Sequence, residues 1–534
     1  MTEGIDAVSL EVIRNQLEGI ATEMGRTLIR GAFSPNIKER QDCSTALFDP
    51  EGRMIAQAEH IPVHLGAMPD AVVAVIERDP QVGEAYLLND PYLGGTHLPD
   101  LTVVTPLAPS DRIVGYAAIR AHHDDVGGPT PGSLPGGARE VFAEGMRIPP
   151  VRLVRDGVID DDLFDLWLAN VRHPDSRRAD LRAQLGAAQV GERRLGELVD
   201  EHDVGWLFEA YDAIIGYSRR RTEHAISSLP EGSYRARDVM EGDGVSETDI
   251  EIVTEVTIDD RTLTVDFNGT DDQVAGNINA PPAVTKSAVY FVARCVTNPD
   301  IPSNHGCFEP IDIAIPEGSV LDPSPPAAVS GGNVETSQRV ADVVLEAFRG
   351  ARPELAAHGQ GTMNNLVIGP QTGDAATYYE TIGGGGGARS NKDGMDGVHV
   401  GMTNTLNTPV EALEQAYPFV VERYALRPDS GGDGRYRGGL GIERAIRLET
   451  DATVSILSDR RTHGPPGAEG GAPGATGENL VDDEVIGAKV TLDVEAGSVI
   501  RIRTPGGGGY GQPEKRGDER RERDRRDGKV TKDR

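Results

Sequence analysis

The segment NDPYLGGTHLPDLTVVTPL, residues 89–107, places Asp90, His97 and Asp100 around the pair Gly94-Gly95 and then runs into an apolar, β-branched stretch. Pro99 and the two glycines argue against a helix, so His97 and Asp100 sit in a turn, where residues three apart can converge. The residues from Leu101 read as a strand. So do those from Ile113 to the polar knot AHHDDVGGPTPGS, residues 121–133. If the two strands pair as a hairpin, their outer ends meet, and His122 or His123 returns beside His97. Neighbours on a strand face opposite ways, so only one of the two histidines points at a shared site. His, Asp and His with open positions form a mixed nitrogen–oxygen set that suits Mn(II), Fe(II) or Zn(II). A hydrogen-bonded loop cluster without metal accounts for the same spacing equally well.

The flanking segments give the fold class. Residues 8–32 carry Leu10, Ile13, Leu17, Ile20 and Met24 at helical spacing. DCSTALFDPEGRMIAQ, residues 42–57, reads as a hairpin around Asp-Pro-Glu-Gly. AMPDAVVAVIERD, residues 67–79, reads as a helix with Pro69 in its first turn, and EAYLLND, residues 84–90, as a strand. Residues 160–228 follow a helical pattern with arginine-rich exposed faces. Strands return at 232–243 and 249–271, helices at 283–296 and 336–351, and the remainder is glycine-dense and strand-rich. This order predicts an α+β protein of mixed, largely antiparallel sheets with helices and glycine-rich loops. The 534 residues exceed one domain at roughly 150 residues each. The expected division is an N-terminal α/β region, 1–230, holding the turn; a strand- and glycine-rich region, 231–512; and a charged, disordered tail, 513–534.

Composition excludes several classes of function. With 85 acidic and 53 basic residues the net charge is -32. That repels nucleic acid and anionic membranes, so neither is an expected partner. It also suits a halophilic protein, whose self-repulsion molar salt screens. No apolar run approaches the roughly 20 residues that span a bilayer, and the N-terminus has no signal-peptide core, so the expected location is cytoplasmic. Cys43, Cys295 and Cys307 share no C-x-x-C spacing, which argues against a disulfide framework or a structural zinc finger. Cys307 follows His305 by two residues, as a nucleophile pair or as a packed turn. GGGGGA, residues 383–388, lacks the Gly-Lys-Ser/Thr of a phosphate loop, and no such loop occurs in the chain. GGNVETSQ, residues 331–338, opens a helix; it could cradle an anion, or Thr336 or Ser337 could simply cap the helix.

Nine motifs follow one another in order: NDPYLGGTHLPDLTVVTPL, AHHDDVGG, DFNGTDDQVAGNINAP, GCFEPIDIAIPEGSVLDP, GGNVETSQRVADVVLEAF, HGQGTMNNLVIG, YYETIGGGGGA, MTNTLNTPVEALE and PDSGGDGRYRGGLG. Together they resemble the hydantoinase B/oxoprolinase family over about residues 5–512. That family includes the B components of ATP-dependent N-methylhydantoinases, the C-terminal part of 5-oxoprolinase and the metal-bearing subunit of acetone carboxylase. The resemblance implies a hetero-oligomer: an A-type ATPase partner uses ATP to phosphorylate a small cyclic amide on its oxygen, and the B part completes hydrolysis. It also implies a divalent metal, Mn, Fe or Zn, held by His97, Asp100 and, by spacing, His122. His123 or Asp124, next along the chain, would then shuttle the proton. The glycine-rich loops would offer N–H groups to the substrate. The resemblance leaves two alternatives: the metal-bearing subunit of a ketone carboxylase, and a non-catalytic scaffold for the ATPase.

Overall fold

The computed structural model describes residues 5–59, 61–109, 111–371 and 376–531. Helix α1 (Ala7–Gly31) begins where Asp6 accepts the N–H groups of Val8 and Ser9, at 2.9 and 3.1 Å. This cap satisfies two of the four orphan donors at the helix start. The helix buries Ile13, Leu17, Ile20 and Met24 of the stripe that the spacing marks, with Leu10 half-buried, and adds Leu28 a turn further on. Each full burial contributes about 2 kcal/mol before entropy is counted. After α2 (Pro35–Lys38) come β1 (Cys43–Phe48), β2 (Met54–Glu59), α3 (Met68–Ile76), β3 (Ala85–Leu88), β4 (Asp100–Leu107), β5 (Gly115–His122), β6 (Val151–Arg155) and β7 (Val158–Ile159). The strands form one sheet in the order β2-β1-β5-β4-β3-β6-β7, antiparallel throughout. β4 and β5 pair in the register that sets Asp100 opposite His122 and Leu107 opposite Gly115.

Helices α4 (Asp161–Leu168), α5 (Pro174–Glu201) and α6 (Val204–Ile226) follow. With α1, helices α5 and α6 cover one face of the sheet, packing Leu17, Met24, Ala187 and Ile214 on Cys43, Leu47, Ile119 and Ala121. The opposite face carries Ala46, Phe48, Val104 and Ala118. It meets a second sheet built from β8 (Gly232–Glu241), β9 (Asp249–Asp259), β10 (Thr262–Asp266) and β11 (Ile311–Ala314), with α7 (Pro282–Val296), α8 (His305–Phe308) and α9 (Ser337–Ala351) packed alongside. Only the β10–β11 pair of this sheet is parallel. The shared core runs from Ala46 to Leu457, straight across the expected boundary at residue 230.

The third region holds two antiparallel sheets. One orders β12 (Asn365–Pro370) and β13 (Tyr378–Thr381) with β16 and β19. The other contains β14 and β15, which follow the short helix α10 (Val410–Ala416), together with β17, β18 and β20. Their ranges are β14 Phe419–Leu426, β15 Ile442–Leu448, β16 Ala452–Leu457, β17 Glu478–Val481, β18 Glu484–Val485, β19 Lys489–Val494 and β20 Val499–Arg503. The inner faces share one apolar core, including Ile368, Tyr378, Ile446, Val454 and Ile502. The fold is α+β, as the sequence predicts. Among the described residues, no helix is long and apolar enough to cross a membrane.

One expectation from composition, and one drawn from the resemblance, meet a different structure. The charged tail is ordered through residue 531: α11 (Asp518–Arg526) packs back with Asp524 buried. Arg516 donates to Asp524 at 2.6 Å and to Asp393 at 2.7 Å. Here the charges pair with one another and with the body. GGGGGA is a seam between backbones, with the N–H groups of Gly384, Gly385 and Gly386 donated to Val398, Pro505 and Met395 carbonyls. A Cβ on Gly385 would sit 2.1 Å from the nitrogen of Gly507, so these glycines serve close approach. The N–H groups of Gly384, Gly385 and Gly386 are therefore not free to bind an anion.

Candidate metal centre

The sheet register builds the site. Asp100 and His122 lie directly opposite on β4 and β5, so both side chains project from the face away from α1 and α5. His97 joins them from the preceding turn, where the Asp100 N–H donates to the His97 carbonyl at 3.1 Å. That turn is fixed from several sides. Gly94 adopts φ +87° against the start of α3, where a Cβ would lie 2.3 Å from the nitrogen of Ala71. Asn89 donates to the Leu98 carbonyl at 2.8 Å and accepts from Ile148 at 2.6 Å. Arg120, fully buried, donates to Thr102 Oγ1 at 2.8 Å and to the Gly94 carbonyl at 2.9 Å.

His97, Asp100 and His122 are all buried, and one candidate ligand atom from each lies within 4.8 Å of the others. His97 Nδ1 is 3.1 Å from Asp100 Oδ2, and His122 Nδ1 is 3.3 Å from Asp100 Oδ1. These are close approaches without hydrogen-bond alignment at His97 or at Asp100 Oδ1. Both ring nitrogens of His97 and Oδ1 of Asp100 lack a hydrogen-bond partner. Such buried atoms each cost about 1–3 kcal/mol if left unsatisfied, and a divalent cation would satisfy one His97 nitrogen and Asp100 Oδ1 together. The residues therefore fit a metal. Burial raises the pKa of Asp100, but His97, His122 and His64 outweigh it and hold the carboxyl well below its usual range. Thr96 Oγ1 also donates to Asp100 Oδ2.

Around these three groups lies a hollow of about 20 Å³, enough for one water molecule or ion. Its walls include residues that sequence reasoning missed: Asp42, His64, Asn333, Met363, Tyr379 and Thr405 among them. Tyr379 of β13 stacks on His122, rings 4.7 Å apart and 11° from parallel. Its hydroxyl donates to Asn365 Oδ1 at 2.9 Å. Arg40 lies 4.7 Å from the same ring and donates to the Tyr379 carbonyl at 2.8 Å. His64 Nε2 is 3.5 Å from Asp100 Oδ2, and its Nδ1 is 3.0 Å from Ser44 Oγ. Asp42 had a readable signal: it immediately precedes the strand that pairs with β5, and its carbonyl accepts the His122 N–H at 3.1 Å. His64 and Tyr379 had none, because only tertiary closure brings them here.

His123 and Asp124 stand elsewhere. His123 turns to the opposite face, where Nε2 meets Gln184 Oε1 of α5 at 2.9 Å and its ring meets Trp167 edge-on. Burial lowers its pKa to about 4, so it is neutral at pH 7. Asp124 accepts from Arg177 at 2.9 Å. The expectation that either shuttles a proton at the cluster does not fit these positions, because strand alternation that brings His122 in turns its neighbour out. Cys307 packs in the main core on α8, and His305 Nε2 lies 3.7 Å from Glu309 Oε1. A second cluster, Asp238, Asp342 and His358, is filled by cations of the chain itself: Arg339 and Arg460 lie within 3.6 Å of both carboxylates.

GGNVETSQ forms a π-helical turn, Gly332–Thr336, leading into α9. Neither Thr336 nor Ser337 caps it; their hydroxyls donate to the Ile278 and Asn333 carbonyls. The preceding loop is held by Glu144, whose carboxylate accepts the N–H groups of Val329 and Ser330 at 3.0 and 2.8 Å. Burial raises the pKa of Glu144 to about 7, against an ordinary 4.5, and those N–H groups only partly oppose it. The folded chain therefore keeps this proton where the unfolded chain has released it. From pH 4.5 to 7 the group costs increasing stability, on the order of 3 kcal/mol across the window. Wild-type and Glu144→Gln stability measured across that range should converge at low pH and diverge, with the variant favoured, towards pH 7. Parallel curves would contradict this.

The profile of the hydantoinase B/oxoprolinase family matches residues 6–513. The chain is 40% identical to 5-oxoprolinase 1 of Arabidopsis thaliana, over 95% of this chain and 42% of that one. It is 38% identical to the 5-oxoprolinase of Dictyostelium discoideum, over 96% of this chain and 41% of that one. The crystal structure of the ATP-dependent caprolactamase from Pseudomonas jessenii superposes with a TM-score of 0.91 at 29% identity, covering 99% of this chain and 95% of that one. The chain thus spans less than half the length of both 5-oxoprolinases. A match along almost the whole of its own length, on a fold that agrees with a solved relative, places this chain in the hydantoinase B/oxoprolinase family.

Proposed function

We propose that this chain completes the hydrolysis of a small cyclic amide after an ATP-using, A-type partner has phosphorylated the amide oxygen. The observation that carries the reading is the buried His97–Asp100–His122 cluster, with unsatisfied ligand atoms around a one-water hollow. The names of the relatives support it, since 5-oxoproline and caprolactam are both cyclic amides. So does the coverage, because this chain spans only 42% of the plant 5-oxoprolinase. The remainder of that protein leaves room for the phosphorylating half.

A cyclic amide resists water because resonance feeds nitrogen electrons into its carbonyl. Phosphorylating the oxygen withdraws that electron density and exposes the carbon. His97, Asp100 and His122 would hold Mn, Fe or Zn, which supplies Lewis acidity and lowers the pKa of water near it. The protein prepares the site for this. Asp100 is kept ionised by the imidazoles around it. Tyr379 braces the His122 ring from the third region, and Arg40 braces Tyr379. Burial excludes bulk water, so a reactive phosphorylated amide is shielded from uncontrolled loss. The hollow of about 20 Å³ is too small for a ring.

The division of labour is testable directly. The chain alone should hydrolyse no ATP and open no unphosphorylated cyclic amide, because it has no nucleotide-binding motif. Reconstituted with an A-type partner, it should do both across a panel of cyclic amides. Steady ATP turnover by the pure chain would overturn the proposal.

A further inference from the structure

We propose that Asn333 is the residue that holds and aims the attacking water; this deepens, and rests on, the hydrolase reading above. Asn333 is buried, and its Oδ1 has no hydrogen-bond partner. It lines the same hollow as His97, Asp100 and His122. A space of about 20 Å³ admits roughly one water molecule. A water there is therefore within reach of the cluster and of Asn333 together. An unpaired buried acceptor costs about 1–3 kcal/mol, and a water O–H donated to Oδ1 would remove that cost.

The backbone presents this one side chain rigidly. Asn333 sits in the π-helical turn, a geometry that adds a residue to a helical turn and that recurs at functional sites. Gly331 and Gly332 press against Asn277 and Asn279; a Cβ on Gly332 would lie 1.9 Å from the Asn279 carbonyl oxygen. Glu144 grips the loop just before the turn, and Ser337 Oγ donates to the Asn333 carbonyl at 2.7 Å. A glycine pair that tolerates no side chain, followed by an unsatisfied amide at a one-water hollow, is a positioning device.

In the reaction the water oxygen bonds to the amide carbon and the ring C–N bond breaks, with a water proton ending on the ring nitrogen; the acyl phosphate so formed is then split by a second water into carboxylate and inorganic phosphate. Asn333 is not basic enough to take that proton. Its part is to accept one O–H and so turn a lone pair of the water towards the carbon.

Two variants separate this from a structural role: Asn333→Leu keeps the size and removes the acceptor, and Asn333→Asp keeps an acceptor oxygen. With the reconstituted complex, Asn333→Leu should lower kcat at least roughly 30-fold, leave KM within about twofold, and retain wild-type melting and metal content. Asn333→Asp should recover a large part of kcat. Loss of metal from Asn333→Leu, an unchanged kcat, or an Asp variant no better than Leu would each overturn the proposal. A readout independent of turnover is a crystal structure of the metal-loaded chain. An ordered water within hydrogen-bond distance of Asn333 Oδ1, absent from Asn333→Leu, is expected; an empty position in wild type overturns the inference. If the wild-type complex opens no cyclic amide, the hydrolase reading fails whatever that structure shows.

Discussion

Asp100→Ala and His122→Ala are each expected to empty the metal site and to lower cyclic-amide hydrolysis by the assembled complex by about two orders of magnitude or more. Asp100 stands between His97 and His122, with one carboxylate oxygen near each ring. Removing it takes away a ligand and the negative charge that balances a cation. His122 shares its face across the β4–β5 register, so its loss leaves two ligands of three. His123→Ala is the internal control. It should cost stability, since it leaves Gln184 Oε1 without its partner and opens a gap beside Trp167, but it should keep metal. Metal content by elemental analysis, paired with turnover, checks all three. A chain emptied by His123→Ala and not by His122→Ala would mean that the register described here is wrong.

The second large effect is on stability. Arg339→Met is expected to destabilise the fold by about 3–5 kcal/mol, the usual cost of stranding a buried charge. Arg339 is fully buried, 3.0 Å from Asp238 of β8 and 2.9 Å from Asp459 after β16. Lys489 of β19 reaches Asp459 at 2.8 Å, and Arg460 pairs with Asp238 at 2.5 Å. This network ties the second sheet and α9 to the third region. Removing one guanidinium leaves more buried carboxylate than the remaining cations can balance. Denaturant unfolding of wild type and variant provides the check. Combining the change with Asp238→Asn should cost less than the sum of the two alone, because the pair is coupled. A loss below roughly 1 kcal/mol, or strict additivity, would contradict the account.

The local patterns of the sequence carried much of this fold. The α1 stripe, the hairpin at Asp49–Gly52 and the strand pair flanking residues 108–114 are all short-range signals, and each element forms where its periodicity lies. That His97 and Asp100 meet one of the two histidines was legible for the same reason, from a hairpin and a period of two; which of His122 and His123 turns inward was left open by the spacing, and the resemblance pointed to His122. What composition suggested was less reliable. A tail of alternating charges reads as solvated, yet Arg516 finds Asp393, more than a hundred residues earlier in the chain. The resemblance let the five consecutive glycines offer N–H groups to the substrate, yet they let separate backbone segments touch. Asn333, Tyr379 and Thr405 could not be seen at the site, because they approach it from the π-helical turn and the third region, with no spacing that links them to the turn at residue 97. The apolar face of the first sheet is completed by residues beyond 230, so the first two regions share one packed core that local patterns could not show.

The metal content of the wild-type chain, purified without chelator and without affinity metals and measured by elemental analysis, tests the central claim most directly. About one Mn, Fe or Zn per chain, absent from Asp100→Ala prepared in parallel, is the predicted result. A wild-type chain free of divalent metal, in a complex whose activity chelators leave untouched, would contradict it. The two histidines and the aspartate would then be an acid–base or structural cluster.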